Sequence, residues 1–382
     1  MAGHRNPNML SRLCLLFALT SSARRTVIAS PLPSPTHDVS HHNVTWTTLN
    51  PEPGTSTDGK ATYANSMPIG NGRVAANVNY ESKDDAIAVL ISSPSAWGED
   101  GELMKVALLT LQLPSRGGQP LGDEFAQIFN PQDATVRLII PAAGSSPDFT
   151  IVIYADATAR ANEDSSDSIV VSVAPAHAGI TASLSRIRPT AQSHQPAFDC
   201  ATYMVSADTV KGDGTLVYHR NNLTGNATYM ATTFRNENIP TVPGFKDPLL
   251  NRSTGAKLAT VLPTDGSATT FAVTVLTAQT DTAASFESLI GSASATFVAQ
   301  QKASQFPPAT HSDWWISKWN QHSIELSGNT PDSVTEAAIV SQMYTLQRFT
   351  EIAQAGEPGT VIKFNGMLYT ANRAPNEDFN AW

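Results

Sequence analysis

The residues best suited to chemistry crowd into the last stretch of the chain. Asn365, Asn372, Arg373, Asn376, Glu377, Asp378, Asn380 and Trp382 lie within residues 362–382, interleaved with Phe364, Tyr369 and Phe379. Amides and carboxylates hydrogen-bond hydroxyls, and rings stack on the apolar face of a pyranose. This mixture is therefore the lining expected of a sugar site. The same composition also suits a solvated tail. No Gly-Lys-Ser/Thr phosphate loop, Cys/His metal cluster or basic stripe competes, so no cofactor and no metal is expected.

A second motif is Met67-Pro-Ile-Gly-Asn-Gly-Arg-Val-Ala-Ala76. Gly70 and Gly72 flank Asn71 in a turn leading into a strand. Glycine there permits positive φ and close approach, which serves either a tight turn or a ligand contact. It is not a phosphate cradle, because no helix follows and no lysine is in reach. Glu99, Asp100 and Glu102 offer carboxylates but read as a solvated hairpin loop. Trp314, Trp315 and Trp319 could stack on sugars, but at helical spacing they read as core. His41 and His42 fall in the start of the chain, expected to be disordered. His177, His194, His219, His311 and His322 share no ligand spacing.

These groups must be positioned by strands. Runs at 73–80, 86–91, 106–113, 135–140, 149–154, 169–173, 180–184 and 271–277 are rich in Val, Ile, Thr and Ala and bounded by turn residues. No amphipathic helices separate them, as parallel strands would need, so antiparallel sheets packed face to face are expected. The period changes near Asp281. Residues 283–304 carry Phe286, Leu289, Ile290, Ala293, Phe297 and Val298 at helical spacing. Ser312 or Asp313 is placed to cap a second helix. Thr330 and Pro331 start a third, with Ile339, Met343, Leu346, Phe349 and Ala353 on one face.

The net charge of −9 argues against nucleic acid or an anionic membrane as partner. At the N-terminus, His4, Arg5 and Arg12 precede the apolar run 13–19 and then small residues, the pattern of an export signal over 1–30. Sequons at Asn43, Asn222, Asn226 and Asn251 agree with secretion. With only Cys14 and Cys200, a disulfide framework is excluded.

Together, Pro68-Ile-Gly-Asn-Gly-Arg-Val74, the aromatic-rich helices and Phe364-Asn-Gly-Met-Leu-Tyr-Thr370 resemble the fucosidase-type six-hairpin glycosidases of glycoside hydrolase family 95. The resemblance is closer to their fungal and bacterial relatives under domain of unknown function 5703, and a fungal source is expected. It implies a mainly β chain: a large antiparallel β-sandwich, then linker helices, then the first element of an incomplete (α/α)6 barrel. The implied divisions are a signal at 1–30, a flexible mature start at 31–43, a sandwich at 44–280, a helical linker at 281–326 and a truncated barrel at 327–382. The implied activity is that of a secreted inverting glycoside hydrolase acting on an oligosaccharide or polysaccharide. The catalytic residues are expected beyond Trp382, so none is assigned and this chain is expected to be inactive. Asn365, Arg373, Asn376, Asp378 and Trp382 are pocket-lining candidates, with Asn71 and Arg73 as contributions from the sandwich. The alternative is a non-catalytic, secreted carbohydrate-binding or cell-surface module.

If residues 13–19 form a signal core, protein recovered from the medium lacks roughly its first 20 to 30 residues by N-terminal mass spectrometry. An intact Met1 on cytosolic protein is the contrary result.

Overall fold

The computed structural model describes residues 37–49, 66–97, 103–144, 146–158, 167–188, 192–194, 203–221, 251–261, 267–301 and 306–355. The export segment, the 99–102 carboxylates, both cysteines, Asn222, Asn226 and the polar segment 362–382 lie outside these residues.

Sixteen strands are described, followed by three helices. In chain order the strands are β1 Val44–Trp46, β2 Met67–Gly70, β3 Ala75–Glu81, β4 Ala86–Trp97, β5 Leu103–Gln112, β6 Ala126–Asn130, β7 Thr135–Ile140 and β8 Phe149–Ala155. Then come β9 Asp167–Ala174, β10 Thr181–Ser185, β11 Gln192–His194, β12 Tyr203–Val205, β13 Thr209–Lys211, β14 Leu216–Arg220, β15 Arg252–Val261 and β16 Thr269–Gln279. The helices are α1 Ala283–Gln300, α2 Ala309–Trp319 and α3 Pro331–Ala355.

The strands form two large antiparallel sheets and a small β11–β12 pair. One sheet has nine strands in the order β1-β6-β7-β8-β9-β16-β15-β14-β13; the other has five, β10-β5-β4-β3-β2. Register explains the layering. Val136 pairs with Ile153, Ile153 with Val171, and Val171 with Phe271, so one face of the larger sheet is continuously apolar. On the smaller sheet Val78 pairs with Val89, and Val89 with Leu109. These two faces meet in one core. The inner strands β3 and β4 of the smaller sheet are buried on both faces, whereas β10 at its edge is largely exposed. Asn77, Asn79, Ser92 and Lys105 alternate with the core residues yet are almost fully covered.

A buried ionic network sits behind this sheet. The Asp208 carboxylate accepts from the backbone N–H of Ile187 and of Arg188 at 3.1 and 3.0 Å, and from Arg188 Nε at 2.9 Å. Arg188 Nη2 also donates to the Lys105 carbonyl at 3.2 Å, joining the network to β5. His219 Nδ1 lies 3.4 Å from the same carboxylate. Burial works to raise the pKa of Asp208, but the Arg188 charge and the His219 contact outweigh it and hold it below the usual value.

α1 lies on the outer face of the nine-stranded sheet. Thr282 caps it by accepting from Ser285 N at 3.1 Å. Its buried stripe is Phe286, Ile290, Ser294 and Phe297; Leu289, expected on that face, is exposed. α2 begins at Ala309, before Ser312 and Asp313, so neither is its cap; Pro308 occupies that position without a side-chain bond. Trp315 and Trp319 are core, as the spacing predicts, and Trp314 is partly buried against the core. Trp315 stacks between Trp319 and Phe349, with ring centroids 6.1 and 5.4 Å away, and Phe349 meets Phe129 edge-on at 4.6 Å.

α3 begins as expected, with Thr330 Oγ1 accepting from Ser333 N at 3.2 Å. Its buried face matches the expected one in its second half, at Phe349, Ala353 and the partly buried Leu346, and differs in its first half. Ala337, Ser341, Thr345, Phe349, Ile352 and Ala353 face inward, whereas Ile339 and Met343 are exposed, Met343 at 64%. In the first half of the helix the small residues Ala337, Ser341 and Thr345, at i, i+4 and i+8, face inward while Ile339, Val340 and Met343 project outward; Phe349 and Ile352 fill the inner face farther on. Residues 37–43, read as flexible, are tied down. Val39 N donates to Gln132 at 2.6 Å, and Ser40–His42 form a 3-10 turn with His42 buried. Among the described residues no helix is long and apolar enough to cross a membrane.

Asp208→Asn removes the charge that compensates Arg188 inside the protein. It is expected to cost about 3–5 kcal/mol in urea unfolding at neutral pH. A depressed carboxylate pKa contributes stability that is present above its unfolded value, about 3.9, and is lost as pH falls through the folded value. The loss of wild-type stability below about pH 4 is therefore blunted in the variant.

Candidate functional site

The glycine turn between β2 and β3 is the point where the sandwich grips α3. Gly72 adopts φ 88°, a conformation open chiefly to glycine. Its N–H donates at 2.9 Å to the carbonyl of Ala353, in the last described turn of α3. Gly70 packs so tightly that a β-carbon there would lie 2.7 Å from both the Cβ and the carbonyl oxygen of Ala353. Close backbone approach is thus what these glycines provide.

Asn71 holds the turn in shape. Its backbone N–H donates to Val74 O at 3.0 Å. Its Oδ1 accepts from the N–H of Arg73 and of Val74 at 3.0 and 2.9 Å, and its Nδ2 donates to the carbonyl of Asp156 at 2.7 Å. The side chain is wholly buried. Asn71 therefore positions the turn. Arg73, next along, is half-buried at the mouth of this junction.

Behind the turn stands His311 of α2. Its Nδ1 accepts from Ala157 N at 3.1 Å, and its Nε2 lies 2.7 Å from the carbonyl of Asp133. A carbonyl only accepts, so Nε2 carries the proton. The imidazole thereby bridges the end of β8 to the β6–β7 turn. Asp133 and Asp156 are both turned inward. Burial raises the pKa of Asp133, against a hydrogen bond from Thr135, and Asp156 accepts from Thr158 N at 3.0 Å. Trp319 Nε1 donates to Pro131 O at 3.0 Å, closing the same corner.

Of the residues proposed from sequence to line a pocket, the structure places Asn71 and Arg73 together at the exit of α3. Asn365, Arg373, Asn376, Asp378 and Trp382 lie outside the described residues. Asn43 is exposed. Asn251 is exposed too, in a turn at φ 57°, but the hydroxyl-bearing Ser253 of its sequon is buried in β15.

One constellation escaped the sequence analysis altogether. His41, His42 and Glu325 bring their ligand atoms within 4.8 Å of one another. Burial works to raise the pKa of Glu325, but hydrogen bonds with His42 and His41 outweigh it and lower it. The only signal in the sequence was the adjacent histidine pair, because its carboxylate partner is almost three hundred residues away.

A family model described as domain of unknown function DUF5703, in its N-terminal part, matches residues 56–262, more than half of the chain. Among solved structures, one described as "Putative kojibiose phosphorylase from human microbiome" resembles 88% of this chain and 42% of its own, at 12% identity and a TM-score of 0.41. This chain thus spans less than half the length of that protein. No curated protein matches.

Gly70→Ala is expected to force the turn and α3 apart. The predicted result is a loss of about 1–3 kcal/mol, the cost typical of overpacking, with faster proteolysis beyond Ala355. Asn71→Ala leaves buried donors and acceptors unpaired and is expected to cost a similar amount. Urea melts and limited proteolysis check both.

Proposed function

The chain belongs to the family of domain of unknown function 5703, and from that premise we propose that it is the sandwich portion of a secreted, carbohydrate-active protein. In this reading an oligosaccharide binds where α3 leaves the glycine turn. The observation that carries the proposal is the Gly72–Ala353 junction: it fixes the exit of α3 beside Arg73, and the chain then runs on into the polar and aromatic segment 362–382. Arg73 from the sandwich and Asn365, Arg373, Asn376, Asp378 and Trp382 from that segment would supply hydrogen bonds and a stacking surface.

The finer reading is that of an inverting, fucosidase-type glycoside hydrolase whose sandwich supports a helical barrel. Glycoside hydrolysis needs two carboxyl groups across the scissile bond, about 5–9.5 Å apart. Two carboxylates lie behind the junction: Asp156 is buried and accepts from Thr158 N, and Asp133 is partly buried and accepts from Thr135 Oγ1, so both are engaged in the fold. In this reading the catalytic carboxylates come from outside the described residues.

Affinity electrophoresis and calorimetry against plant-wall oligosaccharides test the proposal. Saturable binding is expected, weakened about tenfold, or roughly 1.4 kcal/mol, by Arg73→Ala and by Trp382→Ala with no change in melting temperature. Binding to none of the carbohydrates, or wild-type affinity in both variants, overturns it. Sugar release from aryl glycosides that Asp378→Ala abolishes would instead place a complete active site in this chain.

A further inference from the structure

We propose that His41, His42 and Glu325 form a binding site for a divalent transition-metal ion, with zinc as the best fit. His41 Nε2 lies 3.3 Å from Glu325 Oε1, and His42 Nε2 lies 3.0 Å from Glu325 Oε2. Metal–ligand bonds of about 2.0–2.2 Å at tetrahedral angles put neighbouring ligand atoms about 3.3–3.5 Å apart. The two histidine–carboxylate separations are thus already near those that a shared ion requires, and with all three ligand atoms within 4.8 Å of one another side-chain rotations can complete the set.

The backbone arranges this convergence. The 3-10 turn is closed by His42 N donating to Val39 O at 3.0 Å and by Ser40 N donating to Asp38 Oδ1 at 2.8 Å. Adjacent side chains normally diverge, yet here the two imidazoles sit with centroids 4.0 Å apart and planes tilted by 44°. The carboxylate is held independently. Leu326 N, next to Glu325, donates to Ser341 Oγ of α3 at 2.8 Å, and Gln342 of the same helix reaches the carbonyl of His42 at 3.4 Å. Both halves of the site are therefore anchored to α3 before any ion arrives, which lowers the ordering cost of binding.

Burial is graded across the cluster. The His42 side chain is 4% exposed, whereas those of His41 and Glu325 are 54% and 42% exposed. An ion would have one rigid inner ligand and an outer side open to water. Two neutral imidazoles and one carboxylate leave a single negative charge to meet a dication. Nitrogen-rich donors of this kind favour zinc, copper or nickel over magnesium or calcium, which take oxygen ligands. Bound there, the ion would fasten residues 37–43 to the segment between α2 and α3.

The full chain, free of any histidine tag and stripped with EDTA, is titrated with ZnCl2 and separately with MgCl2 by calorimetry. About one zinc per chain is expected, with no saturable magnesium binding. The double variant His41→Ala/Glu325→Gln, altered at exposed side chains only, should bind zinc more weakly by more than the roughly tenfold that loss of an outer-shell partner costs. Zinc should also raise the melting temperature of the wild type and not of the variant. Should the double variant fail to fold, His41→Asn alone gives the same comparison. Absence of saturable zinc binding, or undiminished affinity in the variants, overturns the site and means that the cluster is an ordinary ion pair.

Discussion

The side-chain amide of Asn71 ties together parts of the chain that are far apart in sequence. One oxygen accepts two N–H groups of its own turn, and the nitrogen holds the end of β8. Only in that shape does the turn aim Gly72 N–H at the carbonyl of Ala353. An amide is well suited to the task because it donates and accepts without carrying charge into the interior, so it incurs no ionic desolvation. The position of α3 on the sandwich, and hence the direction in which the chain continues, follows from this contact together with the Trp315–Phe349 stack.

The aromatic stack and the amide do different work. Stacking is broad in angle and gains mainly from excluding water, so it holds α2 and α3 down without fixing their register. The glycine turn fixes register, because a helix carbonyl offers one direction and Gly70 tolerates one separation. Small residues on the buried side of α3 are the other half of this fit: Ala337, Ser341 and Ala353 permit an approach that a leucine would prevent.

How legible this was in the sequence depended on whether one side chain or its surroundings set the outcome. β7 and β8 were readable because Val136, Leu138, Ile151 and Ile153 alternate with less buried residues. The helices of 283–300 and 331–355 were readable from their period and, for the second, from Thr330-Pro331. The inward face of α3 was legible in its second half, at Phe349 and Ala353, but not in its first. Hydrophobicity selects Ile339 and Met343, but the contact selects small side chains, and that preference is visible only once the neighbours are placed. Ser312 and Asp313 misled for a related reason: the helix has already begun at Ala309, with His311 in its first turn bonded to Ala157 N and the Asp133 carbonyl, contacts that local sequence does not show. The role of Asn71 was half legible. Its place in a turn could be read, but its full burial and its bond to the Asp156 carbonyl could not.

The N-terminal segment shows the same limit from the other direction. His41 and His42 precede a stretch poor in periodic apolar residues, so local sequence says coil. Their order comes from Gln132 in the β6–β7 turn and from Glu325 and Gln342 beside or on α3. The helix that receives the glycine turn near its C-terminal end thus receives the start of the described chain nearer its N-terminal end. A shift of α3 along its axis would strain both attachments together. The sandwich and the N-terminal segment therefore act as two clamps on one helix, and the surface of that helix left between them, around Val340 and Met343, faces outward.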